Sequence, residues 1–221
     1  MTSIVFSLGL LSSPPAAANP KYASIIVEES SGRVLYSRSA DKQLFPASLT
    51  KIMTLYLLFE ALQNRRITLG TRMKVSKVAA SRSPSKLYLK PGQTITVENA
   101  ILALVTKSAN DVATVVSEHL GGNERNFAKK MTRKAKAIGM KRTIFKNASG
   151  LPNQAQLSTA RDMARLGIAI RRDFPQYFKY FNSTSFNWKG RKFRNHNKLL
   201  TQLKGTDGIK TGYINASGFN L

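Results

Sequence analysis

At 221 residues, 42% apolar and 21% charged, the chain has the length and hydrophobic content for a substantial core, which excludes a disordered polypeptide. Lysine and arginine number 35 against 11 acidic residues, a formal charge of +24, so the natural partners are anionic: acidic lipid, nucleic acid or a carboxylate-bearing cell wall. With no cysteine, stability rests on the core and not on disulfides.

The apolar run Ile4-Val5-Phe6-Ser7-Leu8-Gly9-Leu10-Leu11 is too short to span a bilayer. It leads through Pro14-Pro15 to Ala16-Ala17-Ala18, the pattern of a signal-peptide apolar region and small-residue cleavage site, although no basic residue precedes it. Residues 1–18 are therefore expected to be a signal peptide and residues 19–221 one exported domain. Residues 23–29 and 33–37 read as strands joined by Ser30-Ser31-Gly32, a hairpin signal. From Ser48 onward, Ile52, Tyr56, Phe59 and Leu62 recur at helical spacing beside Met53, Leu55 and Leu58, which predicts a helix buried on most sides. Residues 71–97 read as short strands and turns, with Lys90-Pro91-Gly92-Gln93 turning between Leu87-Tyr88-Leu89 and Thr94-Ile95-Thr96-Val97.

A second buried helix is predicted from Asn99 to about Thr106, and a third through Val112, Val115, Val116 and Leu120, with Asn110 or Asp111 as its N-cap. Two further helices are expected, one over 124–138 closed by Gly139 and one opening at Ser158-Thr159 and running to about Arg171. The first carries Lys129, Lys130, Arg133, Lys134 and Lys136, followed by Lys141 and Arg142, and reads as a solvated basic face. A nucleic-acid binder is disfavoured because the chain shows no interleaving of arginine with aromatics and no zinc-ligand spacing. Residues 208–214 read as a strand turning through Asn215-Ala216-Ser217-Gly218 into a last short one. Strands at both ends with helices between predict an α/β fold: an antiparallel sheet flanked by helices, plus a mainly helical lobe.

Three stretches carry candidate chemistry. Ser48-Leu49-Thr50-Lys51 places a hydroxyl and an amine three residues apart at a helix start, on one face and near the positive end of the helix dipole. A serine hydroxyl needs a neighbouring base, and a lysine serves when burial and nearby positive charge lower its pKa; Lys210 is a candidate for that charge. Ser39-Ala40-Asp41-Lys42 and Ser83-Pro84-Ser85-Lys86 share the spacing, but neither precedes a buried helix. Ser108-Ala109-Asn110 sets a hydroxyl and an amide on a turn between two buried helices, a pattern that Ser185-Phe186-Asn187 repeats. Lys210-Thr211-Gly212 occurs once, on a predicted strand, where glycine admits a close approach.

Together and in this order, the three stretches resemble the penicillin-recognising serine enzymes, and among them the D-alanyl-D-alanine carboxypeptidases, the low-molecular-weight penicillin-binding proteins. The closer likeness rests on 45–54, 107–111, Asn147-Ala148-Ser149-Gly150-Leu151-Pro152, Ser158-Thr159-Ala160-Arg161-Asp162, 195–200 and 207–212. The resemblance implies that Ser48 attacks the peptide bond between two D-alanines of a peptidoglycan stem peptide and that Lys51 takes its proton. It further implies that Ser108 and Lys210 relay a proton to the leaving amine and that Asn110 holds the substrate amide. Thr211 would bind the terminal carboxylate, and the N–H groups of Ser48 and Tyr213, flanking Gly212, would form the oxyanion hole. It implies no metal or cofactor, covalent inhibition by β-lactams, and an exported location in the bacterial periplasm or envelope. The family continues past the equivalent of Leu221 with further strands of the sheet and an arginine for the substrate carboxylate, so C-terminal strands are expected to be missing. Gln156 stands where a histidine is common; His119 and His196 read as structural. D,D-endopeptidase, β-lactamase and a catalytically silent wall-binding protein are the alternatives, the β-lactamase disfavoured because no Glu-x-x-Leu-Asn stretch occurs.

Overall fold

The computed structural model describes residues 21–221; the expected signal peptide lies outside them. In chain order, β1 (Ser24–Val27) and β2 (Val34–Arg38) form the first hairpin, and a 3-10 turn, Ala47–Leu49, leads into α1 (Thr50–Gln63). β3 (Arg72–Lys74), α2 (Lys77–Ser81) and β4 (Thr94–Thr96) precede the helices α3 (Val97–Thr106), α4 (Asn110–Gly121), α5 (Glu124–Ala137) and α6 (Ala160–Asp173). The short helix α7 (Pro175–Phe178) follows, then β5 (Ser185–Trp188), β6 (Arg191–Arg194), α8 (Leu199–Gln202), β7 (Gly212–Ile214) and β8 (Gly218–Asn220).

α1 is the axis of the molecule. Twelve of its fourteen residues are buried, as its nearly continuous apolar sequence requires. Around it pack α3, α4, α5 and α6, and an aromatic cluster closes one end: Phe59 lies 5.9 Å from Phe174, 5.1 Å from Tyr177 and 6.2 Å from Phe181, ring centre to ring centre. Side-chain caps set four of the helix starts where the sequence supplies them. Ser76 accepts from Ala79 N, Thr96 from Asn99 N, Asn123 from Asn126 N and Thr159 from Asp162 N. On α5, Arg125, Lys129, Arg133 and Lys136 are exposed, as a solvated basic face should be. Lys134 is drawn in by Glu60, 2.5 Å away. Among the described residues no helix is long and apolar enough to cross a membrane.

Helices and antiparallel strands combine as expected, with four differences of detail. The strands pair as four separate ribbons, β1–β2, β3–β4, β5–β6 and β7–β8, so among the described residues they do not join into one sheet. Leu87–Leu89 is not a strand, because the N–H groups of Leu87 and Leu89 go to the Asp111 carboxylate and Tyr88 takes a left-handed φ of 61°; β4 pairs instead with Arg72–Lys74. Neither Asn110 nor Asp111 is the N-cap of α4: both stand inside its first turn behind Ala109, the Asn110 amide facing Lys51 and Ser83 and the Asp111 carboxylate accepting from Leu87 and Leu89 as well as from Val112 N. Lys210 and Thr211 precede β7, since the carbonyls of Gly208 and Thr211 are taken by the side chains of Asn197 and Lys210 and not by a ladder.

Because Phe59 is fully buried against three rings, Phe59→Ala should lower stability by about 3–5 kcal/mol, read as a shift of the urea unfolding midpoint at unchanged slope.

Candidate active site

Ser48 sits in the 3-10 turn before α1, and one turn on, Lys51 brings its Nζ to 3.1 Å from the Ser48 Oγ. Lys51 is completely buried. Its Nζ also lies 2.8 Å from Asn110 Oδ1 and 2.5 Å from the Ser149 carbonyl oxygen. Both of these accept and cannot donate, and the Asn110 amide is fixed in that orientation because its Nδ2 donates to the Ser83 carbonyl at 3.2 Å. A neutral amine has two hydrogens and one lone pair. With the hydrogens given to Asn110 and Ser149, the lone pair faces the Ser48 hydroxyl, the arrangement a general base requires. Burial, and then the charge of Lys210, holds Lys51 well below the usual lysine range, while the Asp111 carboxylate pulls the other way.

Lys210 is 3% exposed, and burial lowers it to about 7. Its Nζ donates to the Thr211 carbonyl at 2.7 Å. Ser108 has a left-handed φ of 58°, is 4% exposed, and its buried Oγ has no partner. The expected Ser108–Lys210 relay is thus not a direct hydrogen bond here, because Lys210 is turned to its own neighbour's carbonyl. Thr211 and Gly212 are half-buried, whereas the Tyr213 side chain points outward against Phe219, at 4.8 Å between ring centres.

Two glycines let other segments close on the Ser48 turn. A Cβ at Gly212 would stand 2.9 Å from the Ser48 nitrogen, so β7 runs against the Ser48 backbone. A Cβ at Gly150, whose φ is +86°, would stand 1.8 Å from the Ala47 carbonyl oxygen. The Gly150 loop is held from below. Asn147 Oδ1 accepts from Ser149 N and Gly150 N, and the next turn of α1 adds Thr54, whose hydroxyl donates to the Ala148 carbonyl at 2.7 Å.

Beneath this loop lies Gln156, 2% exposed. Its Oε1 accepts from Lys146 N at 2.9 Å and from Asn147 N at 3.0 Å, and its Nε2 reaches Asn147 Oδ1 at 3.4 Å. It therefore holds the loop whose Ser149 carbonyl orients Lys51. Gln156, Ser149 and Asp111 are contributions that motif reading passed over. Asp111, fully buried, accepts from Leu87, Leu89 and Val112 N–H groups, and burial raises its carboxyl above the usual aspartate range. His196 joins the site's surroundings as well: burial, then Lys210, Lys107 and Lys51, lower its pKa. His119 is exposed in the last turn of α4, away from this chemistry.

The family model described as D-alanyl-D-alanine carboxypeptidase matches residues 12–221. The chain belongs to this family. It is 34% identical over 215 residues to the D-alanyl-D-alanine carboxypeptidase DacF of Bacillus subtilis, a match covering 92% of this chain and 54% of that one. It thus spans about half the length of the curated relatives it matches. Penicillin binding protein 5 from Haemophilus influenzae superposes with a TM-score of 0.86 at 32% identity, over 90% of this chain and 59% of that one. Penicillin-Binding Protein D2 from Listeria monocytogenes, solved in its ampicillin-bound form, superposes with a TM-score of 0.80 at 31% identity, over 89% of this chain and 81% of that one.

Gln156→Ala should remove the side-chain acceptor of the Lys146 and Asn147 amides, both only partly buried, at about 1–3 kcal/mol in all. The urea midpoint should fall accordingly, and any covalent labelling of Ser48 should slow more than it does in a surface variant of equal stability.

Proposed function

We propose that the protein is a serine D-alanyl-D-alanine carboxypeptidase that removes the terminal D-alanine from peptidoglycan stem peptides. One observation carries the reading: a fully buried lysine amine, its hydrogens engaged by two acceptors, faces a serine hydroxyl 3.1 Å away. In the proposed reaction the Ser48 Oγ attacks the carbonyl carbon of the penultimate D-alanine as Lys51 Nζ takes the hydroxyl proton. The C–N bond then breaks, the leaving amine receives a proton through Ser108 and Lys210, and D-alanine departs. Water hydrolyses the acyl ester on Ser48, restoring the hydroxyl and releasing the shortened peptide.

The remaining roles follow from position. Asn110 keeps one Nδ2 hydrogen beyond that given to Ser83, and this is assigned to a substrate carbonyl. Lys210 and Thr211 receive the terminal carboxylate, and the backbone N–H groups of Ser48 and Tyr213 the oxyanion, a donor typically contributing about 3–4 kcal/mol to the transition state. β-Lactams would acylate the same serine. Slow release of that adduct is supported by Asp111, the carboxylate next to the Ser108–Asn110 turn, which is held by three backbone N–H groups and so is poorly placed to activate water. Action on the wall places the protein outside the cytoplasm, in the periplasm or envelope, where its positive charge would favour anionic wall or membrane surfaces.

Intact-mass analysis after incubation with benzylpenicillin should show one long-lived adduct, mapped to Ser48 and absent from Ser48→Ala. A folded sample that gains no mass would overturn the assignment, and rapid turnover without an adduct would make the protein a β-lactamase.

The two lysines also set a pH profile. Lys51 must be neutral to act as base, so kcat/KM for a D-Ala-D-Ala peptide should rise with pH through its lowered pKa. Lys210 must be charged to hold a carboxylate, so the same parameter should fall above about pH 7. Lys210→Arg, which keeps its charge at any working pH, should retain the acidic limb and lose the alkaline one.

A further inference from the structure

Basic and aromatic residues are interleaved over 186–194 and again at Lys86 and Tyr88, and the fold gathers them into one face beside Ser108. Three segments supply it: the 83–89 loop, Lys107 at the end of α3, and the β5–β6 hairpin. Lys86 Nζ stands 5.4 Å from the centre of the Tyr88 ring and Arg191 Cζ 5.6 Å from it. Arg191 Cζ is also 5.6 Å, and Lys107 Nζ 5.9 Å, from the ring of Phe193. Among the described residues none of these three cations is in an ion pair. Asp111, the carboxylate within the field of Lys86, is committed to backbone N–H groups.

Tyr88 is displayed deliberately by its backbone. It is 58% exposed in a left-handed conformation, while its neighbours Leu87 and Leu89 are 4% and 3% exposed and their N–H groups are clamped by Asp111. A large side chain in that region carries strain that the surroundings must hold, and such strain marks sites of function more often than of packing. The clamp is continuous with the catalytic turn, because Asn110 N donates to the Ser85 carbonyl at 2.7 Å and Asn110 Nδ2 to the Ser83 carbonyl. Lys107 directly precedes Ser108 in the chain and its carbonyl accepts from the Ser85 hydroxyl at 2.8 Å, so the face adjoins the catalytic turn.

Resting on the carboxypeptidase reading, we propose that Lys86, Tyr88, Lys107 and Arg191 form a second anionic subsite, which takes a carboxylate-bearing residue of the peptide on the acyl side of the scissile bond. The terminal carboxylate is already assigned to Lys210 and Thr211, so the charge of this face serves a second acidic group further along the same peptide. The Tyr88 ring packs against that residue's aliphatic part while the cations receive its carboxylate.

Binding of acetyl-Glu-D-Ala-D-Ala and of its Gln isostere to folded Ser48→Ala, followed by NMR titration at low salt, tests this without requiring turnover. The Glu peptide should bind about five-fold more tightly. The gap should close on adding Arg191→Gln or Lys107→Gln, both peptides should weaken on Tyr88→Ser, and Lys129→Gln with Arg133→Gln on α5 should change nothing. Equal affinities, no binding of either peptide, or a gap that survives both subsite variants would overturn the proposal. Benzylpenicillin labelling of the parent protein reports separately on the carboxypeptidase reading, since the subsite result stands whether or not Ser48 is acylated.

Discussion

An amine buried with no counter-ion in contact is the constraint from which the site's architecture follows. A charged lysine in that position would face a desolvation cost of several kcal/mol, so the proton leaves and the amine is held neutral. A neutral amine is a useful base only if its lone pair points somewhere productive. That demands two acceptors that cannot donate, and the fold supplies one from α4 and one from the 147–151 loop. The helix carrying Lys51 must also be immobile, which accounts for an α1 that is apolar on nearly every side.

The loops that converge on α1 hold strain that local sequence does not favour. Ala47, Tyr88 and Ser108 are non-glycine residues with φ of 45°, 61° and 58°, each costing about 1–3 kcal/mol in isolation. Two polar side chains, Asp111 buried and Asn147 half-buried, hold the neighbouring backbone. Asp111 fixes the segment around Tyr88 against the first turn of α4, and Asn147, seated on Gln156, fixes the loop against Ala47 through Gly150. An amide at 156 does this without titrating, so the loop's anchoring is independent of pH, which a histidine at that position would not ensure.

What was legible in the chain is what depends on short-range pattern. The apolar spacing of Ile52, Tyr56, Phe59 and Leu62 fixed α1, and Thr159 and Gly139 bracketed helices by capping chemistry. Ser48, Lys51 and Asn110 stood out by spacing, and the fold brings them together. Leu87–Leu89 was misread because its apolar character mimics a strand while its backbone partner, Asp111, is distant in sequence. The β5–β6 hairpin went unread although it has a local signal: Lys189 and Gly190 both take left-handed φ, of 48° and 78°, a two-residue turn in which glycine is expected. The roles of Gln156 and Ser149 were not legible at all, since a glutamine that accepts two backbone hydrogens looks like any other until the loop is folded over it.

The two lysines of the site are linked by charge: after burial, Lys210 is the next cause of the lowered pKa of Lys51. Burial first, and then Lys210 while charged, depress Lys51, so the field that helps keep Lys51 a free base also makes it a weaker one. In the proposed reaction a substrate carboxylate beside Lys210 offsets that charge. The offset raises the affinity of Lys51 for a proton at the moment the Ser48 hydroxyl is to be deprotonated, and it also keeps Lys210 protonated for the later transfer to the leaving amine. A ligand without the carboxylate would meet a weaker base and a poorer proton donor together. Selectivity for a carboxy-terminal peptide would then arise in the acylation step, beyond whatever binding contributes.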